Sequence, residues 1–156
     1  MNMTKEEKYL AILPRIRALL AGETDEIARM SNIAAMLHSE FGFWWTGFYR
    51  VASPEELVLG PFQGPMACIR ITKGRGVCGT SWNEGRTVIV PDVELFPGHI
   101  ACSRESRSEI VVPCWKRDRI AAVLDIDSKE LNTFDEIDMK YLEEVTSLLY
   151  GNETTV

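Results

Sequence analysis

Apolar residues recur at helical spacing at both ends of this chain and form strand-like runs between them. Near the N-terminus, Tyr9, Leu10, Leu13, Ile16, Leu19 and Leu20 keep the helical period. Thr4 with Glu7 makes a capping box at their start. Pro14 is expected to bend or interrupt this helix and Gly22 to stop it. Thr24 is then expected to cap a second helix, with Ile27, Met30, Ile33, Ala34, Leu37 and Phe41 on one face. Thr133 with Glu136 is expected to open a last helix through Ile137, Tyr141, Leu142, Val145 and Leu148.

Between these ends the pattern changes. Residues 43–51 are dense in aromatic and β-branched types, which predicts a strand. Residues 57–62 return antiparallel after a turn at 53–56, and short strands follow at 68–71 and 87–90. Residues 110–115 and 120–126 flank the basic turn 116–119 and read as a second hairpin. Residues 74–84 read as a glycine-rich loop with one or two helical turns. Helices outside and strands inside predict an α+β fold, a central antiparallel sheet flanked by N- and C-terminal helices.

The 156 residues suit a single domain spanning 1–156. The formal charge of −6 disfavours nucleic acid and anionic membranes as partners, because phosphate binding needs clustered Lys and Arg. The longest apolar runs, such as residues 120–124, fall far short of the roughly 20 residues of a membrane span. Residues 1–10 lack the apolar core of a signal peptide, so a cytoplasmic location is expected. In that reducing compartment the four cysteines, at 68, 78, 102 and 114, are reactive, metal-binding or core residues rather than structural bridges.

No cysteine pair has the C-x-x-C spacing of a zinc ribbon or a thioredoxin-type motif. Cys114 lies in an apolar run and reads as a small buried hydrophobe. Cys102 differs. It sits in a polar stretch within 91–108, a long segment with no sustained period, and loops of that length are usually functional. His99, Arg104 and Arg107 can each favour its thiolate, the reactive form. Cys68 and Cys78 adjoin loops that could approach it.

The run 74–79 matches G-x-G-x-x-G, but no βαβ series surrounds it. Its glycines read as a tight loop that displays Cys78. Three carboxylates gather at one end of the second hairpin. With the turn as pivot, Glu109 is expected opposite Ile126, between Asp125 and Asp127, which share a face. Close carboxylates raise one another's pKa, so one can stay protonated and donate. Trp45 and Tyr49 also share a strand face, as core or as pocket wall.

Taken together, residues 57–64, 74–79, 98–102, 108–111 and 123–128 resemble the free methionine-(R)-sulfoxide reductases, small cytosolic enzymes built on one GAF domain. The likeness covers nearly the whole chain, and the cysteine spacings of 10 and 24 residues are its most specific part. It implies that Cys102 attacks the sulfoxide, that Cys68 resolves the product as a disulfide, and that Cys78 is auxiliary. It implies that Glu109, Asp125 and Asp127 hold the substrate and its oxygen, with Trp45 and Tyr49 beside the methyl group. It implies oxidative-stress repair with thioredoxin as reductant, no metal or other cofactor, and a possible homodimer. Cys114 departs from the usual aliphatic residue and could trap a wrong disulfide. Two alternatives remain: a non-catalytic GAF module that senses a small molecule, and a redox or metal sensor using Cys102 and His99.

Overall fold

The computed structural model describes residues 2–99 and 105–151. Four helices, α1 (Lys5–Leu20), α2 (Glu26–Phe41), α3 (Gly76–Glu84) and α4 (Glu136–Leu149), accompany six strands. The strands are β1 (Trp45–Ser53), β2 (Glu56–Gln63), β3 (Arg70–Thr72), β4 (Val88–Val90), β5 (Ser108–Lys116) and β6 (Arg119–Ser128). They form one antiparallel sheet in the order β3-β2-β1-β6-β5-β4. The expected α+β class is the one observed. No helix among the described residues is long and apolar enough to cross a membrane.

Both faces of the sheet are covered, by different means. Tyr9, Ile12, Ile16, Met30, Ile33, Leu37, Leu142 and Val145 from the terminal helices pack against Phe48, Ile110, Val112, Leu124 and Ile126. The opposite face packs Trp45, Tyr49, Val111 and Val123 against Val77, Cys78 and Trp82 of α3. Central strands buried on both sides explain why β5 and β6 read as continuous apolar runs rather than alternating ones.

Local details differ from the sequence expectations in instructive ways. Pro14 does not break α1, which runs through it. The proline lies on the exposed side, while Ile12, Leu13 and Ile16 are held in the core. The second helix is capped by Asp25, not Thr24. The Asp25 carboxylate accepts from the Ala28 amide at 2.9 Å, one residue closer to the first turn. The last helix is capped by Asp135 with Asp138, not by Thr133 with Glu136. Thr133 instead donates to Ser128 Oγ at 2.6 Å and ties the incoming loop to β6. The glycine-rich segment is more regular than expected, since nine of its residues form α3.

Arg29 fastens the terminal helices. Its guanidinium donates to the carbonyls of Leu20, Leu148 and Leu149 at 2.7–2.8 Å, and to that of Glu23. These carbonyls lie at or just beyond the C-terminal ends of α1 and α4, where backbone acceptors lack helical partners and the dipole favours a cation.

The β5–β6 register carries the largest correction. The turn starts as expected, with Lys116 paired to Arg119 and Trp115 to Ile120. The ladder then shifts, and Cys114 pairs with Ala122, leaving Ala121 as an extra residue on β6. Beyond this bulge every pairing moves by one, so Glu109 stands opposite Asp127 instead of Ile126, and Val111 opposite Asp125. A one-residue slip exchanges faces. The bulge therefore places all three carboxylates on the face that α3 covers.

Candidate functional site

Rows of side chains cross that face. Trp45, Asp127 and Glu109 form one row on β1, β6 and β5, and Gly47, Asp125 and Val111 form the next. Tyr49 follows beside Val123. The α3 helix lays Cys78 over the rows, and the segment before β3 closes one side. Together Trp44, Trp45, Tyr49, Met66, Cys78, His99, Glu109, Asp125 and Asp127 line a single cavity.

The aromatic wall is built from small residues as much as large ones. Trp45 stacks on Phe62 at 5.2 Å and lies 6.0 Å from Tyr49, centroid to centroid. This packing needs Gly47, because a Cβ there would lie 2.3 Å from Phe62 Cβ and 2.7 Å from the Trp45 ring. Gly64, at φ +128°, leaves similar room beside Trp45. Trp45 Nε1 donates to the Pro65 carbonyl at 2.9 Å, and Tyr49 Oη donates to the Cys68 carbonyl at 2.9 Å. The two rings thereby hold the loop that carries Cys68 against the cavity.

The acidic wall is electrostatically frustrated. Glu109 and Asp125 are each 6% exposed, and Asp127 is half-buried. Burial, then the charges of Asp125 and Asp127, push the Glu109 carboxyl well above its ordinary range. Burial and Asp125 push Asp127 in the same direction. Asp125 is also raised by burial, although hydrogen bonds from Glu109 and Cys78 oppose the rise. Such a cluster keeps protons that isolated carboxyls lose. Ser106 Oγ donates to Asp127 at 3.4 Å. Asp125 Oδ1 is buried and accepts no hydrogen bond. A buried carboxylate oxygen without a donor is an acceptor that a bound group can satisfy.

The cysteines separate into distinct environments. Cys78 is a free thiol, 4% exposed, and burial followed by the neighbouring carboxylates pushes it well above the usual thiol range. It is held as S–H, the poorly nucleophilic form. Cys68 is disulfide-bonded. Cys114 is a free thiol packed under the terminal helices, on the far face of the sheet from the cavity. Cys102 lies outside the described residues. His99 was expected to support a thiolate by its charge. Burial lowers its pKa and favours the neutral ring, whose Nε2 lies 4.0 Å from Glu109 Oε1.

The structure thus brings Trp45, Tyr49, Cys78, Glu109, Asp125 and Asp127 to one cavity. It adds residues that sequence reasoning passed over. Met66 and Ala67 lie in a segment without periodic pattern, and Ser106 sits among several polar residues that look alike in sequence. The glycines at 74, 76 and 79 lie at the start of α3, the first two with positive φ. A Cβ at Gly79 would lie 2.7 Å from the Thr72 carbonyl, so glycine lets the helix press onto the end of β3.

Known proteins share this fold. The GAF domain family model matches residues 24–149. GAF domain-containing protein A of Dictyostelium discoideum is 58% identical over 94% of this chain and 92% of its own length. The free methionine-R-sulfoxide reductase of Escherichia coli is 42% identical over 94% of this chain and 89% of its own. Among solved structures, free methionine-R-sulfoxide reductase from Neisseria meningitidis, in complex with its substrate, superposes with a TM-score of 0.93 at 50% identity. It covers 96% of this chain and 90% of that one.

Proposed function

The chain belongs to the GAF domain family and, within it, to the free methionine-R-sulfoxide reductases, and from that premise we propose that it reduces free methionine-(R)-sulfoxide to methionine. The observation that carries this reading is the buried carboxylate cluster beside an aromatic wall and the Cys68 loop. A sulfoxide sulfur is electrophilic, but its oxygen leaves only when protonated. A carboxyl that burial keeps protonated supplies that proton. Trp45 offers an apolar surface to the methyl group, and the orphaned Asp125 Oδ1 offers an acceptor to the ammonium group. Methionine within a peptide has an uncharged amide there, so the free amino acid is favoured.

We assign Cys102 as the attacking thiol. Its sulfur takes the oxygen, methionine departs, and a cysteine sulfenic acid remains. Cys68 condenses with that sulfenic acid to a disulfide and releases water. A disulfide at Cys68 supports its role as the resolving thiol. An external dithiol, for which we name thioredoxin, reduces the disulfide by exchange. The protonated state of Cys78 suits an auxiliary part better than attack. We take residues 1–156 as a single domain working in the cytoplasm, compatible with a homodimer.

The test is a thiol titration before and after adding each sulfoxide epimer, free and peptide-bound. Free (R)-sulfoxide should consume two thiols per turnover, and Cys102→Ser should abolish the reaction. Full turnover by Cys102→Ser would overturn the assignment. Tight binding of a nucleotide with no thiol consumption by any sulfoxide would favour the sensor alternative.

A further inference from the structure

We infer that Cys78, Glu109 and Asp125 form a site for a thiophilic divalent cation of the zinc class, and that such a cation inhibits the enzyme reversibly by occupying the substrate cavity. The inhibitory consequence rests on the activity proposed above; the binding does not.

The three side chains come from α3, β5 and β6, and one donor atom of each lies within 4.8 Å of the other two. Zinc bonds of roughly 2.0–2.3 Å place tetrahedral donors roughly 3.3–3.8 Å apart, so small side-chain rotations complete the geometry. The donor set selects the ion. Thiolate with two carboxylates suits a borderline cation such as Zn²⁺ or Co²⁺, whereas Mg²⁺ and Ca²⁺ prefer oxygen alone. The second observation is the orphaned oxygen. Asp125 Oδ1 is buried in the cluster without a hydrogen-bond donor, and a cation would satisfy it.

The electrostatics favour the same outcome. Three acidic groups crowded in a cavity repel one another when ionised. A divalent charge among them permits thiol and carboxyls to release their protons together. Fourth and further positions remain for Asp127, which lines the same cavity, or for water. The same carboxylates are those assigned to the substrate, so cation and sulfoxide compete.

Cobalt gives a direct readout, because thiolate–Co²⁺ charge transfer absorbs in the near ultraviolet. The oxidised protein is the sharper reagent: Cys68 is in its disulfide, and Cys78 and Cys114 are the free thiols among the described residues. Titrating oxidised protein with Co²⁺ should produce the band, and Zn²⁺ should displace it. Cys78→Ser should abolish it. Asp125→Asn should weaken binding by more than the roughly tenfold that even an outer-shell partner is worth. Cys114→Ala should retain it. Absence of the band, or its survival in Cys78→Ser, would overturn the site. For the reduced enzyme, Zn²⁺ should raise the apparent KM for free sulfoxide at constant kcat, with recovery on adding EDTA. Inhibition that higher sulfoxide cannot relieve would overturn the competitive role. A protein that shows the cobalt band but reduces no sulfoxide would retain the site and reject the activity.

Discussion

Glu109 and Asp127 face each other directly across β5 and β6, two carboxyls sharing one side of a buried sheet. Cross-strand like charges are destabilising unless a proton or a cation lies between them. Their pairing, together with burial, favours retention of a proton above the ordinary carboxylate range. Replacing either by its amide keeps the shape and removes the acid. Glu109→Gln and Asp127→Asn should each lower kcat for free methionine-(R)-sulfoxide by about 100-fold or more. Steady-state kinetics with a chemical dithiol as reductant would check this, and near-normal kcat in both variants would remove the carboxyls from proton transfer.

Stability should also depend on pH through this cluster. Glu109, Asp125 and Asp127 are all raised in the folded protein relative to free carboxyls. The folded state then binds more protons than the unfolded one above the ordinary carboxylate range of about 4. The stabilising contribution is fully present below that range and is lost as pH rises through the raised folded values. Among the described residues, the titratable and charged groups that line the cavity with the cluster are Tyr49 from β1, Arg75 at the start of α3, Cys78 from α3 and His99 from the loop before β5. Denaturant melts from acid to alkaline pH should show stability declining over that interval. Glu109→Gln should flatten the decline, and a wild-type stability that rises through the interval would contradict the sign.

Gly47 offers a steric test of the aromatic wall. An alanine methyl at this position would overlap Phe62 and the Trp45 ring. Gly47→Ala should cost about 1–3 kcal/mol of stability, as overpacking does. It should also raise KM for the sulfoxide by displacing the indole. Thermal melting and kinetics measured together would show both changes, and a silent substitution would mean that the wall yields freely.

Arg29 makes the opposite prediction. It touches no part of the cavity and satisfies four carbonyls at the ends of α1 and α4. Arg29→Met removes the donors and strands their acceptors. Stability should fall by about 3 kcal/mol with KM unchanged. A large KM change at constant stability would show that the terminal helices communicate with the site.

Much of this was legible in the residues. The helical periods of Tyr9 to Leu20 and of Ile137 to Leu148, and the two hairpins, are each governed by local pattern, and each was expected in the place where it forms. The grouping of Glu109, Asp125 and Asp127 was legible as well, but for an incomplete reason. Counting outward from residues 116 and 119 put Glu109 opposite Ile126, on the helix side of the sheet. The bulge at Ala121 corrects this, and nothing in the run Ile120-Ala121-Ala122 announces it. The caps at Asp25 and Asp135 were missed because neighbouring threonines offer the same chemistry one or two residues earlier. Met66 and Ser106 were beyond reach because they enter the cavity from irregular segments, whose path follows from tertiary packing rather than from sequence spacing.

The bulge on β6 works as a phase-setter for everything upstream of it. One residue, far from the carboxylates at the hairpin's other end, decides which of two alternating sets of side chains meets the cavity and which meets the helices. Excising Ala121 would swap those sets along β5 and drive Glu109 beneath the helices. The face that carries Glu109, Asp125 and Asp127 is thus specified by counting as much as by composition.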